Sequence, residues 1–218
     1  GPKTLQIAHF IATYYFSSLG EALGLFYPQA QTPEPQPCEV EVGIELAPEQ
    51  ERAYRELQGQ GAAILFGDTG SGKTEIYIHL MDDTLRAGRC ALLLMPEIAL
   101  TPQMERRLQA HFGERVAIWH SKISKKRREG ILESIQSGET RIVAGARSAL
   151  FLPVTDLGLI VVDEAHDDSY KAQSRPRYHA KDLALYMGEK LGAKVVLGSA
   201  TPLASDTARQ PVVRIKGS

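Results

Sequence analysis

The glycine-rich stretch GDTGSGKT, residues 67–74, has the composition and spacing of a loop that binds phosphate groups. It fits the pattern G-x-x-x-x-G-K-[ST], in which glycines let successive backbone N–H groups turn towards phosphate oxygens. The lysine reaches the β and γ phosphates of a nucleoside triphosphate, and the final hydroxyl binds Mg²⁺. A turn without a ligand is the alternative, but the apolar run AAILF before it and a helical pattern after it favour a phosphate site. The predicted ATP-binding residues are Gly67, Asp68, Thr69, Gly70, Ser71, Gly72, Lys73 and Thr74.

A second acidic group, in LIVVDEAH, has the side chains that ATP hydrolysis needs. Asp163 ends an apolar run, and a carboxylate at the carboxyl end of a strand can hold Mg²⁺ through its water shell. Glu164 follows and is suited to orient and deprotonate an attacking water. An Asp-Glu pair after a strand is by itself more often helix-cap chemistry. Its combination with the phosphate loop predicts an ATP hydrolase that uses Lys73, Thr74, Asp163 and Glu164.

Short apolar runs must position these residues. AAILF, CALLLM, VAIW, RIVAG, LGLIVVD and KVVLG alternate with polar, helical stretches from residue 47 onward. Nearly all-apolar strands between amphipathic helices are typical of a mostly parallel sheet covered on both faces. We therefore predict an α/β fold whose ligand site lies at the carboxyl ends of the strands.

The chain divides into three parts by composition. Residues 1–27 have apolar residues at helical spacing after a Gly-Pro pair typical of a protease-cleavage scar, and residues 28–46 form a Pro- and Glu-rich linker. Residues 47–218 hold the alternating pattern. The net charge is −1, so any contact with nucleic acid must come from local patches. Cys38 and Cys90 are solitary, and no apolar run is long enough to span a membrane, so we expect a cytoplasmic protein.

Five motifs carry a resemblance to a known family. GDTGSGKT, PEIALTPQ, GARSALF, DEAH and GSATP occur in the order of motifs I, Ia, Ib, II and III of superfamily 2 helicases. The segments MPEIALTPQ, WHS, VVDEAHDDSYK and RYHAKDLA are most similar to the bacterial replication-restart helicases of the PriA family. The resemblance extends from Gly67 to Pro202 and implies a RecA-like P-loop NTPase lobe.

The resemblance also implies a function. Members of this family are 3′-to-5′ DNA helicases that use ATP and Mg²⁺, act at stalled replication forks on single-stranded DNA, and assemble with primosome proteins and the single-stranded-DNA-binding protein. By the same resemblance, Gln50 reads the adenine, and His166 couples the nucleotide site to Ser199 and Thr201. Arg147 and Ser148 match the motif that touches the DNA backbone.

The family has parts that this sequence does not match. A second lobe with an arginine finger and zinc-binding cysteines, and an N-terminal domain that binds 3′ ends, belong to the family pattern. We therefore expect zinc only in that second lobe, and expect these 218 residues alone to bind nucleotide weakly and turn over negligibly. Asp68 occupies a position of the phosphate loop that varies among relatives.

The loop after DEAH combines aromatic and basic residues, as proteins that grip single-stranded DNA do. We predict DNA contacts from Lys171, Arg175 and Tyr178. The basic run SKISKKRR, residues 121–128, is interpreted as a solvated helix face, and Trp119 and Tyr186 as packing residues. Two other functions stay open, namely another superfamily 2 DNA translocase or RNA helicase, and a non-catalytic nucleotide- or partner-binding module.

Overall fold

The fold is a parallel sheet with helices on both faces, as the sequence predicts. The computed structural model describes residues 1–28, 31–40, 43–201 and 209–215. In these ranges the strands are paired in parallel, in the order β3-β4-β2-β5-β6-β1-β7. The strands are β1 (Ala62–Phe66), β2 (Cys90–Leu94), β3 (Val116–Trp119), β4 (Ile142–Gly145), β5 (Leu157–Val162), β6 (Lys194–Ser199) and β7 (Val212–Arg214).

The helices begin and end at residues whose chemistry suits those positions. Thr101 and Ser124 accept hydrogen bonds from backbone N–H groups in the first turns of their helices, and Gly138 and Gly192 end helices in the left-handed conformation. The helices are α1 (Pro2–Tyr14), α2 (Leu19–Leu23), α3 (Pro48–Gln58), α4 (Lys73–Arg86), α5 (Pro102–Phe112), α6 (Lys125–Ser137) and α7 (Ala180–Leu191).

The sheet separates two hydrophobic clusters. Helices α3, α4 and α5 cover one face, and α1, α6 and α7 cover the other. Strand β2 is buried along its whole length, which explains why these runs read as continuously apolar rather than alternating.

The N-terminal helices α1 and α2 share the second cluster. The Phe10 ring stacks on Tyr186 with centroids 3.9 Å apart, and the Phe26 ring meets Phe151 edge to face at 5.1 Å. Tyr186 is therefore a packing residue on α7, as interpreted from the sequence. The N-terminal segment is fixed against α7 and the 3₁₀ helix Arg147–Phe151 by aromatic contacts.

The described part of the linker is extended and lies against the first cluster. The Cys38 N–H donates to the Leu85 carbonyl (3.1 Å), Arg141 Nη1 donates to the Gln36 carbonyl (2.8 Å), and Val40 is buried. Prolines keep this stretch extended, and its described residues, 31–40 and 43–46, form no helix or strand of their own.

Two features are absent from the described ranges. No helix there is long and apolar enough to cross a membrane. No group of three or more metal-ligating side chains was found in the same ranges.

Candidate active site

The predicted site residues follow three neighbouring strands. Strand β1 leads into the phosphate loop, β5 into Asp163, and β6 ends at Ser199, and these strands lie side by side in the order β5-β6-β1. Phe66 is the register partner of Ser199, and the Gly67 N–H donates to the Ser199 carbonyl at 3.0 Å. The topology therefore brings the three motifs together at the carboxyl ends of these neighbouring strands.

The phosphate loop has the backbone that anion binding needs. Gly70 and Gly72 have φ values of 82° and 86°, which side chains rarely adopt, and α4 begins directly afterwards at Lys73. Successive N–H groups in such a turn, followed by a helix N-terminus, form a concave anion site. The Ser71 hydroxyl is buried there and has no partner among the described residues.

Lys73 is held inside this loop. Its side chain is buried, and its ammonium donates to the carbonyls of Gly67 (2.7 Å) and Asp68 (3.4 Å). Among the described residues these carbonyl dipoles are the partners of the ammonium and no carboxylate pairs with it, so phosphate oxygens would supply a counter-charge. The loop therefore fits a nucleoside triphosphate.

Gln50 joins helix α3 to the loop. Its Oε1 accepts from the Ala47 N–H (2.7 Å), and its Nε2 donates to the Gly72 carbonyl (3.2 Å). A Cβ atom on Gly72 would lie 1.8 Å from that Nε2. The predicted adenine-reading residue thus contacts the phosphate loop itself, at a glycine whose φ of 86° would strain any residue with a side chain.

Asp163 is held by two tyrosines. The Tyr77 hydroxyl donates to Asp163 Oδ1 at 2.7 Å, and the Tyr170 hydroxyl donates to the Asp163 backbone carbonyl. Both rings are buried, and burial together with the nearby Asp163 charge raises the pKa of each tyrosine well above its ordinary value. Each hydroxyl therefore remains a hydrogen-bond donor at physiological pH.

The remaining DEAH residues connect to β6. Glu164 has φ 49°, a left-handed backbone that is uncommon for a side-chain-bearing residue and recurs at functional sites. Its Oε2 lies 3.7 Å from His166 Nε2, and His166 Nδ1 lies 3.4 Å from the Ser199 hydroxyl. That hydroxyl also donates to the Thr201 carbonyl at 2.6 Å. The predicted coupling residues are thus in contact, while Pro202 of the same motif lies outside the described residues.

The donors expected for Mg²⁺ are of the right kind. Thr74 provides a hydroxyl and Asp163 a carboxylate, and Mg²⁺ prefers oxygen ligands. Thr74 is three positions before Tyr77 on α4, and that tyrosine contacts the Asp163 carboxylate. The donor set and its placement fit a magnesium-bound nucleotide.

The residues predicted to touch DNA differ in their contacts and exposure. Arg147 Nη1 donates to the Ser169 carbonyl at 2.7 Å, which links the GARSALF motif to the loop after DEAH. The exposed Ser148 accepts a hydrogen bond from Trp119 Nε1 at 3.2 Å. Trp119 itself is buried, as expected of a packing residue.

The two basic residues of the loop have different neighbours. Lys171 is exposed and pairs with Asp168 at 3.2 Å. Arg175 instead donates to the Phe16 carbonyl at 2.8 Å and lies 3.8 Å from Glu21. The loop therefore contacts the N-terminal helices through Arg175, whereas the Lys171 ammonium lies at the surface.

Tyr178 does not have the predicted placement. Its ring is buried against Phe151, with centroids 5.0 Å apart, so it cannot stack on bases in this conformation. Burial raises the pKa of Tyr178 to about 12, although the Arg147 charge opposes the rise. The prediction of a direct DNA contact by Tyr178 is wrong because the chain turns back into the core immediately before α7.

The basic run at residues 121–128 is partly neutralised. Lys125 pairs with Glu129 (3.8 Å), Arg127 forms an ion pair with Glu105, and the Arg128 guanidinium lies 5.3 Å from the Trp119 ring centroid. These contacts agree with the interpretation of a solvated helix face.

Tyr77 and Tyr170 were not predicted as site residues. Tyr170 lies in the loop after DEAH, whose aromatic and basic composition predicts exposure, but its ring is buried and its hydroxyl donates to the Asp163 carbonyl. The signal for Tyr77 was its place four positions after Lys73, on the side of α4 that faces the sheet.

A parallel sheet that carries a phosphate loop, a DEAH segment and a Ser-Ala-Thr segment at one edge defines the ATPase lobe of a helicase. The chain belongs to the DEAD/DEAH box helicase family, whose sequence model matches residues 47–209.

Within this family the chain is similar to replication restart proteins. It is 48% identical to the replication restart protein PriA of Helicobacter pylori strain J99, over 99% of this chain and 36% of that protein. It is 47% identical to PriA of Bacillus subtilis over 67% of this chain and 18% of that protein, and 40% identical to PriA of Rickettsia conorii over 92% and 32%. The chain thus spans about a third of the first relative's length.

The alignment with the Helicobacter relative also shows how long that relative is at the position of the linker, residues 28–46. It occupies 227 positions and includes 99% of the chain, which leaves room for only short insertions relative to these 218 residues. That relative therefore has no further domain inserted at the position of the linker.

Solved structures agree in fold. RecG bound to a three-way DNA junction matches 84% of this chain and 27% of its own, with TM-score 0.59 and 20% identity. The helicase Lhr of Mycobacterium smegmatis, bound to single-stranded DNA and AMP-PNP, matches 80% and 26%, with TM-score 0.59 and 18% identity. At this level of identity the likeness concerns the fold alone.

Proposed function

We propose that this chain is the ATP-binding lobe of a 3′-to-5′ DNA helicase that acts at stalled replication forks in replication restart. One observation carries the proposal: the phosphate loop, Asp163 and Ser199 follow three adjacent strands and are joined by hydrogen bonds across them. Identity of 48% with a replication restart protein supports the biological role.

In the proposed mechanism the loop residues bind and the DEAH residues react. Backbone N–H groups of residues 67–74 and the Lys73 ammonium hold the phosphates, and Gln50 contacts the adenine. Thr74 and Asp163 would hold the Mg²⁺ that accompanies the nucleotide, and this ion would supply positive charge against the phosphate oxygens. Glu164 orients a water for attack on the γ phosphorus and accepts its proton, while the bond from that phosphorus to the β–γ bridging oxygen breaks and ADP leaves.

His166 couples hydrolysis at the nucleotide site to the segment after β6. It lies between Glu164 and the Ser199 hydroxyl, which in turn contacts Thr201. A change at the γ phosphate that moves Glu164 would therefore move the segment after β6.

DNA contact is proposed for the exposed groups beside this edge. Arg147 and Lys171 offer cations near the loop after DEAH, and Ser148 offers an exposed hydroxyl. Arg175 is proposed as a conditional contact, because its guanidinium would first leave the Phe16 carbonyl. Tyr178 is excluded from this group by its burial.

The wider role is proposed from the relatives. Replication restart would require forked and single-stranded DNA, primosome proteins and the single-stranded-DNA-binding protein as partners, in the cytoplasm. By the resemblance to the family, zinc would belong to a second lobe of the whole protein.

The whole protein tests this proposal through the DNA dependence of its ATPase and unwinding activities. Single-stranded DNA, forked DNA, plain duplex DNA and duplex RNA of matched length should be compared. We expect ATP hydrolysis stimulated by single-stranded and forked DNA, and unwinding of the fork. Equal activity on RNA, or stimulation lost with forks and kept with RNA, would contradict a replication-restart role.

A further inference from the structure

The strongest contacts to Asp163 come from residues that the mechanism above does not use. Tyr77 lies on α4, the helix that begins with Lys73, and its hydroxyl donates to Asp163 Oδ1 at 2.7 Å. One carboxylate oxygen is thereby tied to the phosphate-binding helix.

The second contact comes from the loop that follows DEAH. The Tyr170 hydroxyl donates to the backbone carbonyl of Asp163, seven positions earlier in the chain. The turn that carries Tyr170 is fixed by two further bonds: the Asp167 carboxylate accepts from the Ser169 N–H at 2.8 Å, and Arg147 Nη1 donates to the Ser169 carbonyl. Asp163 is thus connected through Tyr170 to the motif proposed to meet DNA.

The bond between Tyr77 and Asp163 is closely packed against β6. A Cβ atom on Gly198 would lie 1.8 Å from the Tyr77 hydroxyl oxygen and 2.8 Å from Asp163 Oδ1. Glycine is required there, because any side chain would displace the hydroxyl or the carboxylate. The geometry leaves Asp163 little freedom to rotate on that side.

We propose that Tyr77 and Tyr170 are positioning residues, which together set the place of Asp163 between the phosphate-binding helix and the Arg147-linked loop. The inference rests on the proposed ATP-binding function. A merely structural role would have both hydroxyls satisfying buried polar atoms, with an effect on stability and none specific to magnesium.

The test is binding of a fluorescent ATP analogue to the 218-residue chain, measured by anisotropy in Mg²⁺ and again in excess EDTA. Tyr77→Phe and Tyr170→Phe each remove one hydroxyl and keep the ring. Tyr54→Phe is the matched control, because the Tyr54 hydroxyl also donates to a carboxylate of α4, Asp83 Oδ2, at 2.6 Å. Thermal unfolding and near-ultraviolet circular dichroism confirm that each variant is folded.

In Mg²⁺ we expect each site variant to bind at least about fivefold more weakly than the unmodified chain, the loss typical of one hydrogen bond. In EDTA the site variants should match the unmodified chain within about twofold, because the hydroxyls act through Asp163. Tyr54→Phe should match it in both conditions.

Two results separate the failure of this inference from failure of the proposed function. If the unmodified chain binds and both site variants bind equally well in Mg²⁺, or lose the same factor in EDTA, the positioning role is wrong and the ATP site stands. If the unmodified chain shows no saturable binding, the proposed function is wrong and this inference with it. A loss of binding that is specific to Mg²⁺ in either variant alone supports the positioning role, since both hydroxyls contact Asp163.

Discussion

At the scale of single residues, the site depends on close contacts that tolerate few replacements. Gly72 adopts a left-handed conformation directly beneath the Gln50 amide, and Lys73 donates to carbonyls of its own loop. Nucleotide binding would exchange those carbonyls for phosphate oxygens as the partners of the Lys73 ammonium. Glu164 is likewise held at an uncommon positive φ.

Gly72→Ala should abolish measurable nucleotide binding and lower the free energy of unfolding by about 1–3 kcal/mol, because it adds backbone strain and a clash with Gln50. Gly138→Ala is the control, since Gly138 has φ 83° but no atom nearer than 3.9 Å to an added Cβ. It should cost about 1 kcal/mol and leave binding unchanged. Urea unfolding and analogue binding measure both, and equal binding by the Gly72 variant would count against the loop geometry.

Glu164→Gln should separate binding from hydrolysis. The amide keeps the shape of the side chain but cannot accept a proton, so we expect ATP affinity within about threefold and a loss of DNA-stimulated hydrolysis by the whole protein of at least about 100-fold. A phosphate-release assay measures the second effect. Hydrolysis at more than a tenth of the unmodified rate would rule out Glu164 as the base.

At the scale of elements, the sequence predicts six of the seven described strands closely, because each of the six is a short apolar run between polar helices. β1 and β3 match AAILF and VAIW residue for residue. β7 was missed because it is three residues long and half exposed at the sheet edge, so its sequence has no distinct pattern. Tyr178 was misplaced for another reason: a loop that combines basic and aromatic residues does not reveal which rings turn inward.

The N-terminal helices should add to the stability of the lobe. Phe10→Ala removes a half-buried ring stacked on Tyr186 and should lower the free energy of unfolding by roughly 2 kcal/mol, less than a fully buried phenylalanine would. Phe16→Ala is the control, because Phe16 is 88% exposed and should change stability by less than about 0.5 kcal/mol. Urea unfolding decides between them, and equal effects would mean that α1 does not pack as described.

At the scale of the whole molecule, one sheet both separates the two hydrophobic clusters and lines up the motifs. The order β5-β6-β1 brings together residues that are far apart in sequence, such as Gly67 and Ser199. Motif order could be recognised from sequence, but the contacts of Tyr77 with Asp163 depend on strand order and helix rotation. Those contacts could therefore be identified only from the three-dimensional structure.

Buried tyrosines make the lobe sensitive to alkali. Burial raises the pKa of Tyr15 and Tyr178 to about 12, above the ordinary value of 10.0. The native state then holds these protons more tightly than the unfolded chain, so their contribution is complete below pH 10 and is lost as pH rises to 12. Urea midpoints should be level from pH 8 to 9 and fall steadily from pH 10 to 12. A constant midpoint across that range would contradict the burial of these rings.

The central claim is that residues 67–74 bind the phosphates of ATP. Its most direct test is equilibrium binding of a fluorescent ATP analogue to the 218-residue chain and to Lys73→Ala, with both shown to be folded by circular dichroism. We predict saturable binding that unlabelled ATP displaces, strengthened by Mg²⁺ and at least about tenfold weaker in the variant, because the charge-assisted contact to phosphate is lost. Equal affinities, or binding that ATP does not displace, would contradict the account.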